Sequence, residues 1–345
     1  MLHSVVEQHS WSLQAGAVDQ ERSWVHIMRG STQFYISVEH KDIQSSQFGS
    51  QYLALLETCT DQKTGSKHYQ RPLDLICEYC RPLTERLAAE TSWRGCTVEN
   101  LVKAPTHNLY IVRANGHECS ILGGDELSYS RALNLCPRKI LDVPRKCQIL
   151  PRLHARDVRA DMEDVEILGS LHGRVRIPGG VERYIKPRED GREREVDREL
   201  DISTEIKRRQ VSNDVIKIPD LDALVVTGDT PEEESIVGFL FHIVPSAKPL
   251  LDPWCWQQHA AHDRWKSQVT RTVKTLHEHG LVWGDVNPGN VLIDEASNAW
   301  VIDFGGMNNP EFVDNDKAET IGGDWQGIER LFGEWLRRRG EGVLL

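Results

Sequence analysis

The stretch HEHGLVWGDVNPGNVLIDEASNAWVIDFGG, residues 277–306, constrains this chain more than any other. Asp285, Asn290 and Asp303 sit there in glycine-broken turns, each beside a run of apolar β-forming residues. A turn only has to reverse the chain, and Gly, Pro and Asn do that without carboxylates. Carboxylates placed at successive strand-edge turns therefore point to chemistry, and the short apolar runs point to a sheet that holds them in place.

A chain of 345 residues and 39.3 kDa is longer than one average domain, so two or three units with their own cores are expected. The net charge of −11 and a pI near 5.7 argue against a general binder of nucleic acid or anionic membrane. Residues 138–210 are mildly basic against acidic flanks. The run REDGREREVDREL within them reads as an exposed helix laced with both signs more readily than as a phosphate-binding patch. The start, MLHSVVEQHSWSLQ, lacks a basic region followed by an apolar run, so no secretory signal is expected. The longest apolar stretch, SIVGFLFHIV (235–244), falls far short of the roughly 20 residues a membrane helix requires. A soluble, cytoplasmic protein without a membrane partner is the expectation. Eight cysteines without regular spacing read as reduced thiols. Cys77 and Cys80 form a lone CxxC with no second pair at zinc spacing, so buried thiols on a helix face are expected there.

Pattern changes divide the chain. Residues 24–40 predict two strands around a turn, and 108–122 predict a hairpin bending at Asn115-Gly116. Between them QYLALLETC and LDLICEYCRPLTERLAAE have helical spacing, the second interrupted at Pro82. Residues 1–160 thus read as an α+β domain of unknown role, closed by a proline-punctuated connector over 136–158. Beyond it come the strands DVEILGSL, RVRIPGG and VERYIK, a charged helix over 191–209, and the strands ALVVTGD and SIVGFLFHIV. A long helix over 254–280 follows, with Trp265, Val269, Val273 and Leu276 on one face and Gly280 as its stop.

This order, followed by Asp285, by Asn290 five residues on, and by Asp303-Phe304-Gly305, resembles the protein kinase superfamily with its catalytic loop and metal-binding turn. GLVWGDVNPGNVLID, AWVIDFGG and GGDWQGIERL more specifically resemble a family of fungal kinase-like proteins. The resemblance covers roughly residues 163–335. It implies an α+β, two-lobed kinase-like fold, with an N-lobe over 161–250 and a reduced C-lobe over 251–345. It also implies ATP and Mg²⁺ as cofactors.

Under this resemblance Asp303 would bind Mg²⁺, and Asn290 would offer a neutral oxygen ligand to a second ion. Asp285 would orient an incoming hydroxyl and accept its proton. Lys186 would hold the α and β phosphates, aimed by Glu199, with Glu195 one turn earlier as a fallback. Asp324 would cap the following helix and brace the catalytic loop. His242 and Val244, in FHIVPS, would offer backbone atoms to adenine. Gly169 and Gly173 would cover the phosphates.

Departures from the kinase pattern narrow the function. LGSLHGRVRI offers only Gly169 and Gly173, so the glycine cradle is degenerate. Trp283-Gly284 replaces the usual His-Arg, and Asn287 stands where a lysine is expected. Asn287-Pro288-Gly289-Asn290 resembles the loop of small-molecule phosphotransferases such as aminoglycoside kinases. Only 18 residues separate Gly305 from Asp324, which leaves little chain to lay out a peptide substrate. Among other features, His277 and His279 point to different faces of a helix, and a helix-end role is favoured for them over metal binding. Trp254, Trp256, Trp265, Trp325 and Trp335 are expected in the core.

Three functions follow. The leading one is a Mg²⁺·ATP-dependent phosphotransferase acting on a hydroxyl of a small molecule, or less readily of a protein. The second is a kinase-fold enzyme with other chemistry in fungal secondary metabolism, such as a tRNA-dependent arginine-containing cyclodipeptide synthase. The third is a pseudokinase or scaffold that binds protein partners through residues 1–150.

Overall fold

The structure is a computed structural model and describes residues 12–18, 21–29, 32–59, 70–88, 96–113, 118–127, 135–160, 171–211 and 216–340. Helices and sheets are mixed in an α+β arrangement. The chain divides into two compact units, Met1–Leu135 with Ala155–Pro178, and Cys136–His154 with Gly179–Leu345. This differs from a single boundary near residue 160, because residues 136–154 lend edge strands to the second unit.

The first unit is built on a five-stranded sheet in the order β1 (Ser12–Val18), β2 (Arg22–Arg29), β3 (Thr32–Glu39), β4 (Thr106–Arg113) and β5 (Cys119–Leu127). All its pairings are antiparallel except β3 with β4, which is parallel. A parallel step needs a crossover, and helices Gln47–Thr58 and Gln70–Leu87 supply it. Val25, Ile27, Phe34, Ile36, Leu109 and Ile111 alternate onto the face covered by Phe48, Tyr52 and Ile76. Helix Gln70–Leu87 runs through Pro82 instead of stopping there. Burial of Ile76, Cys77, Cys80 and Thr84 on its inner face offsets a proline cost of about 3 kcal/mol. Burial also pushes both thiols up, that of Cys80 to about 12. The hairpin bend at Asn115-Gly116 and, up to residue 170, the expected strand DVEILGSL lie outside the described residues. Two short antiparallel strands, Arg159–Ala160 and Gly173–Ile177, complete this unit.

In the second unit strand Ser235–Phe241 is central. It pairs antiparallel with Leu221–Thr227 on one side and Val181–Pro187 on the other. Residues 136–158 are not merely a connector, because Arg152–His154 adds a parallel strand to Leu221–Thr227 and Arg138–Lys139 pairs antiparallel with Ser235 and Ile236. Helix Glu193–Arg208 lays Val196 and Leu200 on this sheet, against Leu224, Val226 and Phe239.

The expected helix over 254–280 is broken in two. Pro253–Trp256 is capped by the Asp252 side chain, and His259–Glu278 carries the fully buried Trp265, Val269, Val273 and Leu276. Gly280 adopts the left-handed φ of +69° that ends a helix cleanly. Those side chains pack with Trp283, Val291, Val301, Phe304, Ile328 and Leu331, at roughly 1.5–3 kcal/mol for each large apolar side chain. The antiparallel pair Val291–Ile293 and Ala299–Val301 lies on this core, which anchors the loops on either side of it. Trp265 and Trp335 are buried as expected, whereas Trp254 and Trp325 are exposed. No helix among the described residues is long and apolar enough to cross a membrane.

Candidate functional site

Lys186 lies on strand Val181–Pro187, opposite Phe239, beside the buried Ile185. Alternation along the strand sends Ile185 to one face and Lys186, with its partner Phe239, to the face covered by helix Glu193–Arg208. There its Nζ forms an ion pair with Glu199 and lies 3.0 Å from Asp303 Oδ1. Glu199 is buried on the inner face of helix Glu193–Arg208. It, and not Glu195 one turn earlier, reaches the lysine. Burial alone would depress Lys186, but the carboxylates of Glu199 and Asp303 outweigh it and raise it above the ordinary lysine value. Burial raises Glu199 against the opposing pull of Lys186. The lysine therefore stays cationic at any physiological pH.

Asp303 takes a left-handed φ of +60°, a conformation that costs a residue with a Cβ of order 1–3 kcal/mol and persists only where the surroundings impose it. Its Oδ1 accepts from Gly305 N at 3.2 Å, which closes a short turn and aims the carboxylate toward Lys186. Its side chain is 34% exposed.

The Asp285 loop is organised by its own amides. Asn290 Nδ2 donates to Asp285 Oδ2 at 2.8 Å and to the Asp285 carbonyl at 3.0 Å. Asn287 Nδ2 donates to Asp285 Oδ1 at 3.0 Å, while Asn287 Oδ1 accepts from Gly289 N at 2.8 Å. Burial pushes the Asp285 carboxyl up, Asn287 and Asn290 pull it back, and nearby Asp303 adds to the rise. The net direction is upward. Ile302 N donates to the Asn290 carbonyl at 3.1 Å and Trp283 Nε1 to the Ile302 carbonyl at 3.0 Å, which ties this loop to that of Asp303. With its nitrogen committed to Asp285, Asn290 has its side-chain oxygen left to ligate. That oxygen and the Asp303 carboxylate form a hard donor set, which fits a small divalent cation such as Mg²⁺.

Asp324 is almost wholly buried and accepts from Trp283 N at 2.9 Å, Gly284 N at 2.8 Å and His277 Nε2 at 2.8 Å. It braces the loop just ahead of Asp285. It does not cap its helix; Thr320 does, accepting from Gly323 N at 3.0 Å, because Asp324 lies a turn inside. His277 belongs to this brace, with its ring edge against Trp325.

His242 follows strand Ser235–Phe241 and its N–H is committed to the Asp220 carbonyl at 3.0 Å, so only its carbonyl could serve an adenine. Val244 is buried nearby in sequence. Gly173 opens strand Gly173–Ile177 in the first unit, and Gly169 lies outside the described residues.

Arg198, Glu319 and His277 make contacts around these loops that sequence reasoning missed. Arg198 Nη1 donates to the carbonyls of Trp283, at 3.1 Å, and Phe304, and its Nη2 donates to that of Val282 at 2.9 Å. No spacing rule marks a guanidinium that binds main-chain carbonyls, and within REDGREREVDREL Arg198 looks like its solvated neighbours. The one available signal was Gly284 standing where the kinase pattern has an arginine, which opens space for a guanidinium from elsewhere.

No protein-family model matches the chain, and no curated protein does.

Proposed function

We propose that this chain is a cytoplasmic, Mg²⁺·ATP-dependent phosphotransferase of two-lobed kinase-like fold that acts on a hydroxyl of a small molecule. The observation that carries the proposal is Lys186, held between Glu199 and Asp303 while Asn290 holds Asp285 beside the same loop pair. Residues far apart in sequence converge there on one cation, one exposed carboxylate and one oriented carboxylate. A site for transfer of a charged phosphoryl group needs those three parts.

Bound Mg²⁺·ATP would supply the transferable group and the metal charge that screens it, with Asp303 and the Asn290 oxygen as the protein's ligands. Lys186, kept protonated by two carboxylates, presents N–H donors to phosphate oxygens. Glu199 fixes the lysine's reach, so little side-chain entropy is lost when phosphate arrives. Asp285 accepts the hydrogen bond of an acceptor hydroxyl and takes its proton. Its raised pKa makes it a better base than an ordinary aspartate. The segment between Gly306 and Thr320 holds only a short 3₁₀ turn, Asn315–Lys317, and no platform for an extended peptide, which favours a small acceptor over a protein.

Calorimetric titration of Mg²⁺·ATP into the wild type and Asp303→Asn, with a metal-free control, tests the reading. Micromolar, Mg²⁺-dependent binding that disappears in the variant is expected. Absence of binding to the wild type overturns it.

A further inference from the structure

Arg198 precedes Glu199 on helix Glu193–Arg208, yet its side chain serves the two loops and not the helix. The Val282 and Trp283 carbonyls it binds lie just before Gly284-Asp285, and the Phe304 carbonyl just after Asp303. Both loops are shaped to admit it. Gly284 adopts φ +82°, and a Cβ there would lie 2.7 Å from Arg198 Nη2. Gly306 adopts φ +72°, and a Cβ there would meet Glu319 Oε1 at 2.8 Å and Arg198 Cδ at 3.2 Å. Glu319 in turn accepts two bonds from Arg194 Nη2, at 2.9 and 2.7 Å, and lies 3.8 Å from Arg198 Nε. Glu319 itself holds a left-handed φ of +54°, which a side-chain-bearing residue keeps only under constraint.

We propose that Arg198 and Glu319 form a clamp of positioning residues that locks the helix bearing Glu199 onto both the Asp285 and the Asp303 loops. Arg198 and Glu199 are adjacent, so the helix cannot draw Glu199 away from Lys186 without breaking the bonds of Arg198 to both loops. Glu319 orients the guanidinium and folds the segment after Asp303 back onto the helix.

The consequence for nucleotide binding rests on the phosphotransferase reading, but the clamp does not. The test therefore has two arms, applied to the full chain as wild type, Arg198→Gln, Arg198→Lys and Glu319→Gln. The first is hydrogen exchange without nucleotide. At least tenfold faster exchange is expected in Arg198→Gln over 282–290 and 302–308, and in Glu319→Gln over 302–308. Arg198→Lys, with one nitrogen instead of a fork, restores protection to one loop at most. The second arm is ATP affinity with and without Mg²⁺. Both Arg198→Gln and Glu319→Gln should shrink the gain that Mg²⁺ confers, about tenfold for Arg198→Gln, because Asp303 is no longer held. Unchanged exchange in both segments overturns the clamp. If Arg198→Gln does not fold, Glu319→Gln decides, and wild-type exchange over 302–308 in that variant overturns the clamp. A wild type that binds no Mg²⁺·ATP refutes the phosphotransferase and leaves the exchange arm to judge the clamp alone.

Discussion

Replacing Asp324 by Ala should unfold the second unit far more readily than any surface change, and the size of the effect can be worked out from its bonds. The carboxylate is 1% exposed and takes three donors, from Trp283 N, Gly284 N and His277 Nε2. Hydrogen bonds to a charged partner contribute about 1.5–3 kcal/mol each. Their face-value sum is too large, because deletion also removes the penalty for burying the charge. Buried networks broken at one partner lose about 3–5 kcal/mol. With a urea m-value of about 3 kcal/mol/M, the midpoint should fall by about 1–1.7 M. Tryptophan fluorescence follows the transition, since Trp283 and Trp325 flank the brace, and exchange of the 283 and 284 amides should accelerate most. Asp314→Ala is the reference, because that carboxylate is 43% exposed although it too binds Gln326 and Arg330. It should lose much less than Asp324→Ala, because its pairs are screened by solvent. The reasoning is refuted if Asp324→Ala costs no more than Asp314→Ala, or if exchange at 283 and 284 is unchanged.

Asp303→Asn should abolish Mg²⁺-dependent nucleotide binding with little change in the urea midpoint, since it removes one contact to Lys186 and also the like charge near Asp285; a variant that keeps full binding contradicts the role of Asp303. Lys186→Met should weaken Mg²⁺·ATP binding by at least tenfold in calorimetry, and Lys186→Arg should not restore it, because a planar fork cannot replace a point charge between two carboxylates. With a raised Asp285 carboxyl as base, the acid limb of kcat/KM should lie above the ordinary aspartate value of 3.8, with activity falling as pH falls through it. Asn287→Ala removes a donor to the ionised form and should move that limb to higher pH; a downward shift would overturn the assignment. Gly327→Ala would place a Cβ 2.6 Å from Val286 Cβ, so overpacking of about 1–3 kcal/mol and a displaced Asp285 loop are expected from unfolding midpoints and nucleotide affinity.

The parts legible in the sequence were placements in which turn residues and short apolar runs coincide. Asp285, Asn290 and Asp303 announce themselves because each turn sits beside a short strand whose register is set by its apolar neighbours. Trp265, Val269, Val273 and Leu276 announce a buried helix face for the same reason, since a 3.6-residue repeat has few other causes. The errors fall where tertiary context overrides a local rule. Pro82 stays within its helix because the inner face on either side of it is already buried, and 136–154 yields strands because the edge of Leu221–Thr227 and the start of Ser235–Phe241 offer main-chain partners. Arg198 is the instructive failure. Its role depends on carbonyls of Val282, Trp283 and Phe304, which every residue type possesses, so nothing in the identity of its partners could mark it. The trace it leaves is negative, in the glycines 284 and 306 that stand where its guanidinium and the Glu319 carboxylate need room. In a chain of this kind a glycine with left-handed φ beside an acidic turn is therefore worth reading twice, once for the backbone it permits and once for the side chain it admits.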